Sequence, residues 1–325
     1  MSDIGVSLRE AESLEVICLM DNCVDFVSSI NRREVQGVRS WVAKRMGNEW
    51  FERNFRLPIA EHGLSMLVTA SCDGKSHTLL FDTGVSPQGA VSNACSMGIN
   101  LGQIEAIVLS HGHYDHFGGL QNFIKAIGKA DLPIIVHEDM FKIRGVAASD
   151  GSVRRYPEFP KEAQIRPAKF LKTKEPYLLA DGLVLVTGEI PRKTDFEKGY
   201  TQQRAFIDGE WKPDPWVWDD RALAVHVKNK GLVILSGCAH AGIVNTVLYV
   251  RQITGIKKVH AIIGGFHLSG RECEERIGKT VEALKQLKPE LVAPMHCTGW
   301  RGAFAIAGAM PEAFVWNSVG NLYIF

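Results

Sequence analysis

The chain reads as an α/β protein in which two mixed β-sheets pack together with helices on the outside. Three features of its 325 residues predict this. Short β-rich runs bounded by turn residues recur along the chain, and helical patterns separate several of them. The strands also come in two kinds of connection: hairpin pairs, turning at Asp73-Gly74 and at Asn229-Lys230-Gly231, and strand–helix–strand units. The first kind makes antiparallel neighbours and the second parallel ones, so each sheet is expected to be mixed.

In chain order the strand candidates are EVICLMD from residue 15, GLSMLVTASCDG from 63, HTLLFDTG from 77, AIVLSHG from 106 and PIIVHED from 133. They continue with GLVLVTGE from 182, LAVHVKNKG from 223, LVILSG from 232, VHAIIGG from 259 and LVAPMH from 291. Helical patterns follow three of them, in SPQGAVSNACSMG, GGLQNFIKAIGK and AGIVNTVLYVRQITG. A fourth, RECEERIGKTVEALKQLKP, places Ile277, Val281, Leu284 and Leu287 on one face. Two segments interrupt the pattern. Residues 30–58 read as an amphipathic helix carrying Val35, Val38, Trp41, Val42 and Trp50 among arginines. Residues 139–220 hold most of the irregular sequence, with Trp211, Trp216 and Trp218. An insertion of that length beside a site serves as a lid or substrate cap, with a surface elaboration or dimer contact as the equal alternative. Residues 1–325 are thus expected to form a single domain with these two insertions.

Composition narrows the class. With 46% hydrophobic and 22% charged residues and a net charge of +1, the chain is globular and carries no field suited to nucleic acid or a membrane surface. Apolar runs such as GLVLV and GLVIL are far shorter than the roughly 20 residues of a membrane span. The acidic start, MSDIGVSLREAESLEV, lacks a signal pattern. The seven cysteines are scattered and make no CxxC pair, which fits a reduced, cytoplasmic setting.

The chemistry concentrates in VLSHGHYDHFGGL, residues 108–120. His111, His113, Asp115 and His116 form H-x-H-x-D-H directly after a buried strand, where a rigid sheet end fixes several side chains at once. Imidazole nitrogen and carboxylate oxygen suit zinc, and also manganese or iron. Alternate side chains point in different directions, so the four donors can divide between two close metals.

This loop, with Asp82 closing the preceding HTLLFDTG strand, resembles the metallo-β-lactamase-fold hydrolases. The further stretches EHGLS, LFDTG, TGEIPR, GCAHAGIVN, GGFHL and MHCTG resemble a subgroup of dihydropterin–ribofuranosylaminobenzene-phosphate synthase-like proteins, from about residue 16 to 325. The resemblance implies a four-layer αββα sandwich and a cofactor of two divalent ions, zinc foremost. His111, His113 and His240 would hold one ion, and Asp115, His116 and His296 the other. Asp82 would hold the metal loop by hydrogen bonds rather than ligate. The aspartate that bridges the ions in many members has no counterpart in SGCAH; Cys238 there is either a soft ligand or a small packing residue. His267 follows a buried strand and paired glycines at the same sheet end; a catalytic or substrate-contacting role is preferred over a structural one. Asp115 is assigned to catalysis as well. Asp21, Asn22, Glu61 and His62 are expected at the pocket rim, with turn and capping roles as the equal alternative, and Glu189 and Arg192 beside the substrate, the arginine suiting a phosphate or carboxylate.

The leading functional reading is a hydrolase in which a metal-bound hydroxide attacks an ester or phosphoester of a small, pterin-related molecule. The alternatives are a synthase condensing a pterin diphosphate, and a metal-binding redox or sensing protein of the same fold. The helix at 30–58 and the aromatic insertion each offer a homodimer contact.

Overall fold

In a computed structural model describing residues 5–30 and 32–325, two large mixed sheets stand face to face. The first runs β10 (Lys169–Lys172), β7 (Pro133–Val136), β6 (Ile104–Val108), β5 (Lys75–Phe81), β4 (Ser65–Cys72), β2 (Ser13–Met20), β19 (Leu322–Ile324) and β3 (Val35–Gln36). The second runs β11 (Tyr177–Leu179), β12 (Val184–Val186), β15 (Ala222–Val227), β16 (Gly231–Ser236), β17 (Val259–Gly265) and β18 (Leu291–Met295), with β1 (Glu10–Ala11) beside one end of β15.

Strand alternation explains the layering. In β2, Leu14, Val16 and Cys18 face the second sheet while Ile17 and Leu19 face outer helices. In β16, Val233 and Leu235 join the same inter-sheet core, and Leu232 and Ile234 face the opposite helix layer. Side chains alternate with a period of two, so a strand apolar on both faces is stable only between two layers. The outer helices include Leu120–Ile127 on the first sheet and Ile243–Thr254 and Ile277–Leu287 on the second. All ten strand candidates are strands, and the result is the four-layer αββα sandwich.

Two segments differ from the sequence reading. Residues 30–58 are not one helix: Val35 lies in β3, and two short helices, Val38–Met46 and Asn48–Asn54, are broken at Gly47, whose φ is 86°. Residues 139–220 are more regular than expected: besides β12, which GLVLVTGE predicts, β10 and β11 belong to the two main sheets. The remainder adds a third, four-stranded sheet, ordered β14 (Glu210–Pro213), β13 (Gln203–Ile207), β8 (Ile143–Ala147) and β9 (Val153–Arg155). Its strands are three to five residues long with charged residues set among the apolar ones, so they give little alternation to read. No helix among the described residues is long and apolar enough to cross a membrane.

Candidate metal centre

The donor-rich turn begins where β6 ends. Leu109 N–H donates to the Ile135 carbonyl, and the chain then rises off the sheet into the single helical turn Tyr114–Phe117. Asp82, buried at the end of β5, holds this turn from below. Its Oδ1 accepts from Ser110 N–H at 2.7 Å, and its Oδ2 from Ser110 Oγ at 2.7 Å and His116 Nδ1 at 2.6 Å. That contact leaves His116 Nε2 pointing into the cluster. Two glycines let the turn pack this closely. A Cβ on Gly118 would stand 1.8 Å from the Val85 carbonyl oxygen, and one on Gly119 2.3 Å from that of Thr83.

The donors fall into two groups. In the first, His111 Nε2 and His240 Nε2 stand 3.2 Å apart, and the His113 ring lies 4.5 Å from that of His111 and 4.8 Å from that of His240. His113 Nε2 is buried without a hydrogen-bond partner. In the second, His296 Nε2 is 3.1 Å and His116 Nε2 3.8 Å from Asp115 Oδ2. The His296 contact is close but off the hydrogen-bonding direction, so that nitrogen too is buried and unpartnered. Cys238 Sγ lies 3.2 Å from His116 Nε2. Buried polar atoms converging without partners are costly unless something else satisfies them. A cation does so for nitrogen, carboxylate and sulfur donors together, so these residues fit a metal.

Electrostatics point the same way for the three histidines of the first group. Burial, then the neighbouring His116, His113 and His240, hold His111 well below the ordinary histidine range. Burial and then Arg144 lower His113 to about 3, and burial with His267 and His113 lowers His240. These imidazoles are therefore neutral, the form that donates a lone pair. Burial would raise Asp115, but His116 and His296 outweigh it and keep the carboxylate ionised. Burial likewise opposes protonation of His116, yet Asp82 and Asp115 raise it to about 9.

The other sequence candidates separate into three sets. Asp21 and Asn22 secure the His296 turn: Asp21 Oδ1 accepts from His296 N–H at 2.8 Å, and Asn22 Nδ2 donates to the His296 carbonyl at 3.1 Å. Glu61 accepts from Ser86 N–H and Oγ, bracing the loop after Asp82. His62 is exposed at the rim, its ring 4.6 Å from that of His296. His267, at a φ of 44°, sets its ring 4.1 Å from that of His240 with Nδ1 buried and unpartnered. Glu189 and Arg192 meet other partners: Glu189 Oε1 is 3.0 Å from His137 Nε2, and Arg192 donates to the Ile190, Trp216 and Val217 carbonyls.

Sequence reasoning missed the charged run Asp219-Asp220-Arg221, which is almost fully buried. Asp219 Oδ2 accepts from Gly112 N–H at 2.8 Å and pairs with Arg144 of β8. Asp220 Oδ2 accepts from Ala241 N–H at 2.9 Å, beside His240. Arg221 donates to the Leu109 and Ile135 carbonyls under the end of β6. One short run thus braces both donor-bearing turns. The available signal was three consecutive charges abutting an apolar core strand.

Comparisons with known proteins bear on the fold and the family. The family model described as Metallo-beta-lactamase superfamily matches residues 59–251, which contain six of the seven donors, from His111 to His240. The 7,8-dihydropterin-6-methyl-4-(beta-D-ribofuranosyl)-aminobenzene-5'-phosphate synthase of Methanocaldococcus jannaschii is 34% identical over 285 residues, 82% of this chain and 90% of that protein. An uncharacterized protein of the same organism is 29% identical over 272 residues, 81% of this chain and 93% of that protein. A solved structure described as a metal-dependent hydrolase of the beta-lactamase superfamily superposes with a TM-score of 0.70 at 22% identity. It covers 95% of this chain and 98% of that one, a likeness of fold. By family model, by relatives spanning most of its length and by its αββα architecture, the chain belongs to the metallo-beta-lactamase superfamily.

Proposed function

We propose that this enzyme holds two divalent ions, zinc foremost with manganese or iron as alternatives, and hydrolyses an ester or phosphoester of a small molecule. The observation that carries the reading is the division of donors into His111, His113 and His240 on one side and Asp115, His116 and His296 on the other. When bound, ions there supply Lewis acidity toward the attacked oxygen and acidify a water at neutral pH.

The chain's own residues do the rest. Asp82 fixes the orientation of His116, and Asp219 and Asp220 fix the two donor turns against each other. His267, beside His240 with a free buried nitrogen, holds a proton for the leaving group. The third sheet acts as a cap: Tyr156, just past β9, brings its ring 5.5 Å from His113, and Tyr200 brings its ring 6.1 Å from His267. The cap and sandwich work as one domain over residues 1–325.

A second reading, a synthase joining a pterin diphosphate to an aromatic amine, is favoured by the 34% identity to the archaeal synthase. Elemental analysis of the purified chain and a screen of phosphomonoester, phosphodiester, lactone and thioester substrates test the first. Two zinc-class ions per chain and turnover are expected, with His116→Ala losing one ion and the turnover. Two irons with redox turnover would overturn the hydrolase. Consumption of a pterin diphosphate and an aromatic amine in equal amounts, without hydrolysis, would establish the synthase.

A further inference from the structure

We infer that Cys238 is the ligand shared by the two metal positions, its sulfur taking the place that no aspartate fills. This rests on the two-ion reading above. Among the described residues, Cys238 is the one member common to both donor groups. Its Sγ and one donor atom each of Asp115, His116 and His296 all lie within 4.8 Å of one another, and the same holds for Sγ with His111 and His240. The sulfur is buried, and it meets a histidine nitrogen at 3.2 Å rather than an apolar wall. A cysteine that merely filled space would face hydrocarbon.

The backbone holds the sulfur between the groups. Gly265 N–H donates to the Gly237 carbonyl at 3.0 Å just before Cys238, and Ala241 N–H donates to Asp220 just after it. Cys297 Sγ donates to the Cys238 carbonyl at 3.3 Å from the other side. The turn is therefore fixed independently of any bound ion.

A thiolate has lone pairs enough for two cations, as a bridging carboxylate does, but it is softer. It selects zinc, cobalt or ferrous iron over magnesium or manganese. On binding, the Cys238 S–H bond breaks, its proton passes to solvent and sulfur–metal bonds form. No electron is transferred. Cys297 also lies within 4.8 Å of the sulfur, together with His267, but belongs to neither donor group.

The test is Co(II) added stepwise to the metal-free full chain under reducing, anaerobic conditions, read by the sulfur-to-cobalt charge-transfer absorption in the near ultraviolet. The absorption should grow through both the first and the second equivalent in the natural chain and in Cys297→Ser. In Cys238→Ser it should vanish, with the second equivalent bound at least roughly tenfold more weakly. Cys238→Asp should regain two equivalents without the absorption, which separates lost ligation from lost folding. Two equivalents bound without the absorption would overturn the role of Cys238 and leave the two-ion reading standing. Growth confined to one equivalent would make Cys238 a terminal ligand and overturn the sharing. Failure of the natural chain to take a second equivalent would overturn the two-ion reading itself.

Discussion

Asp219 and Asp220 are adjacent and equally buried, yet their environments push them in opposite directions. Burial would raise Asp219, but Arg144 more than offsets it and holds the carboxyl well below the usual range. A depressed folded-state pKa contributes stability that is complete above the unfolded value, near 4, and is lost as pH falls below it. Burial raises Asp220 to about 6, with Arg192 opposing more weakly. Its ionised form is therefore disfavoured by folding, and stability falls as pH rises from about 4 to 6. Denaturant unfolding should separate the two. Asp219→Ala strands the buried Arg144 and should cost about 3–5 kcal/mol at neutral pH. Asp220→Asn keeps an acceptor for Ala241 N–H and should stay within about 1 kcal/mol of the natural chain at low pH, gaining on it as pH rises from about 4 to 6. Equal losses at both positions would refute this assignment. Neither role could be read from the sequence, because Gly112 is 107 residues from Asp219 and Arg144 is 75. His111, His113, Asp115 and His116 were legible because they crowd into one turn after one strand. His240 and His296 needed the resemblance as well, since a single histidine at a strand end carries no pattern.

At the scale of elements, legibility followed contrast. Ten strands of the main sheets announced themselves as dense apolar runs closed by turn residues; β1, β3, β10, β11 and β19, two to four residues long, did not. The helix Gly299–Ala309 did not: its sequence, GWRGAFAIAGA, alternates small residues and has almost no polar face to set against the apolar one. The break at Gly47 was similarly hidden, because a glycine within a plausible helical period is tolerated as often as it terminates. The contact between the loop after Asp82 and the turn at Gly118–Gly119 is where element packing bears most directly on the site. Gly118→Ala forces a methyl into the Val85 carbonyl, a backbone atom unable to yield as a flexible side chain would. The turn must shift, taking Asp115 and His116 with it. A loss of about 3 kcal/mol in thermal unfolding is expected, together with loss of one metal equivalent. Gly128→Ala, outside this contact with only Lys125 O nearby at 3.9 Å, should leave metal content intact, so retention of two ions by Gly118→Ala would separate packing from ligation.

Across the whole molecule, the donor groups draw on both sheets. His111, His113, Asp115 and His116 follow β6 of the first, braced by Asp82 at the end of β5, whereas Cys238, His240 and His296 follow β16 and β18 of the second. The sheets are otherwise joined by the apolar layer between them, which has no orientational preference of its own. Ions held by donors from both sheets would thus cross-link the sandwich at one end, and only in the native state, since the unfolded chain scatters those donors over nearly 200 residues of sequence. A ligand that binds only the folded form stabilises it by about 2.7 kcal/mol when present at a hundredfold excess over its dissociation constant. For a chain of this size, that corresponds to a fall in Tm of about 4 °C on chelation. The fall should be reversed by adding back zinc and should shrink in His116→Ala and His240→Ala, each of which removes a donor from one sheet. A Tm indifferent to chelation, in protein verified to have carried two ions beforehand, would mean that the inter-sheet core alone sets the register of the two halves.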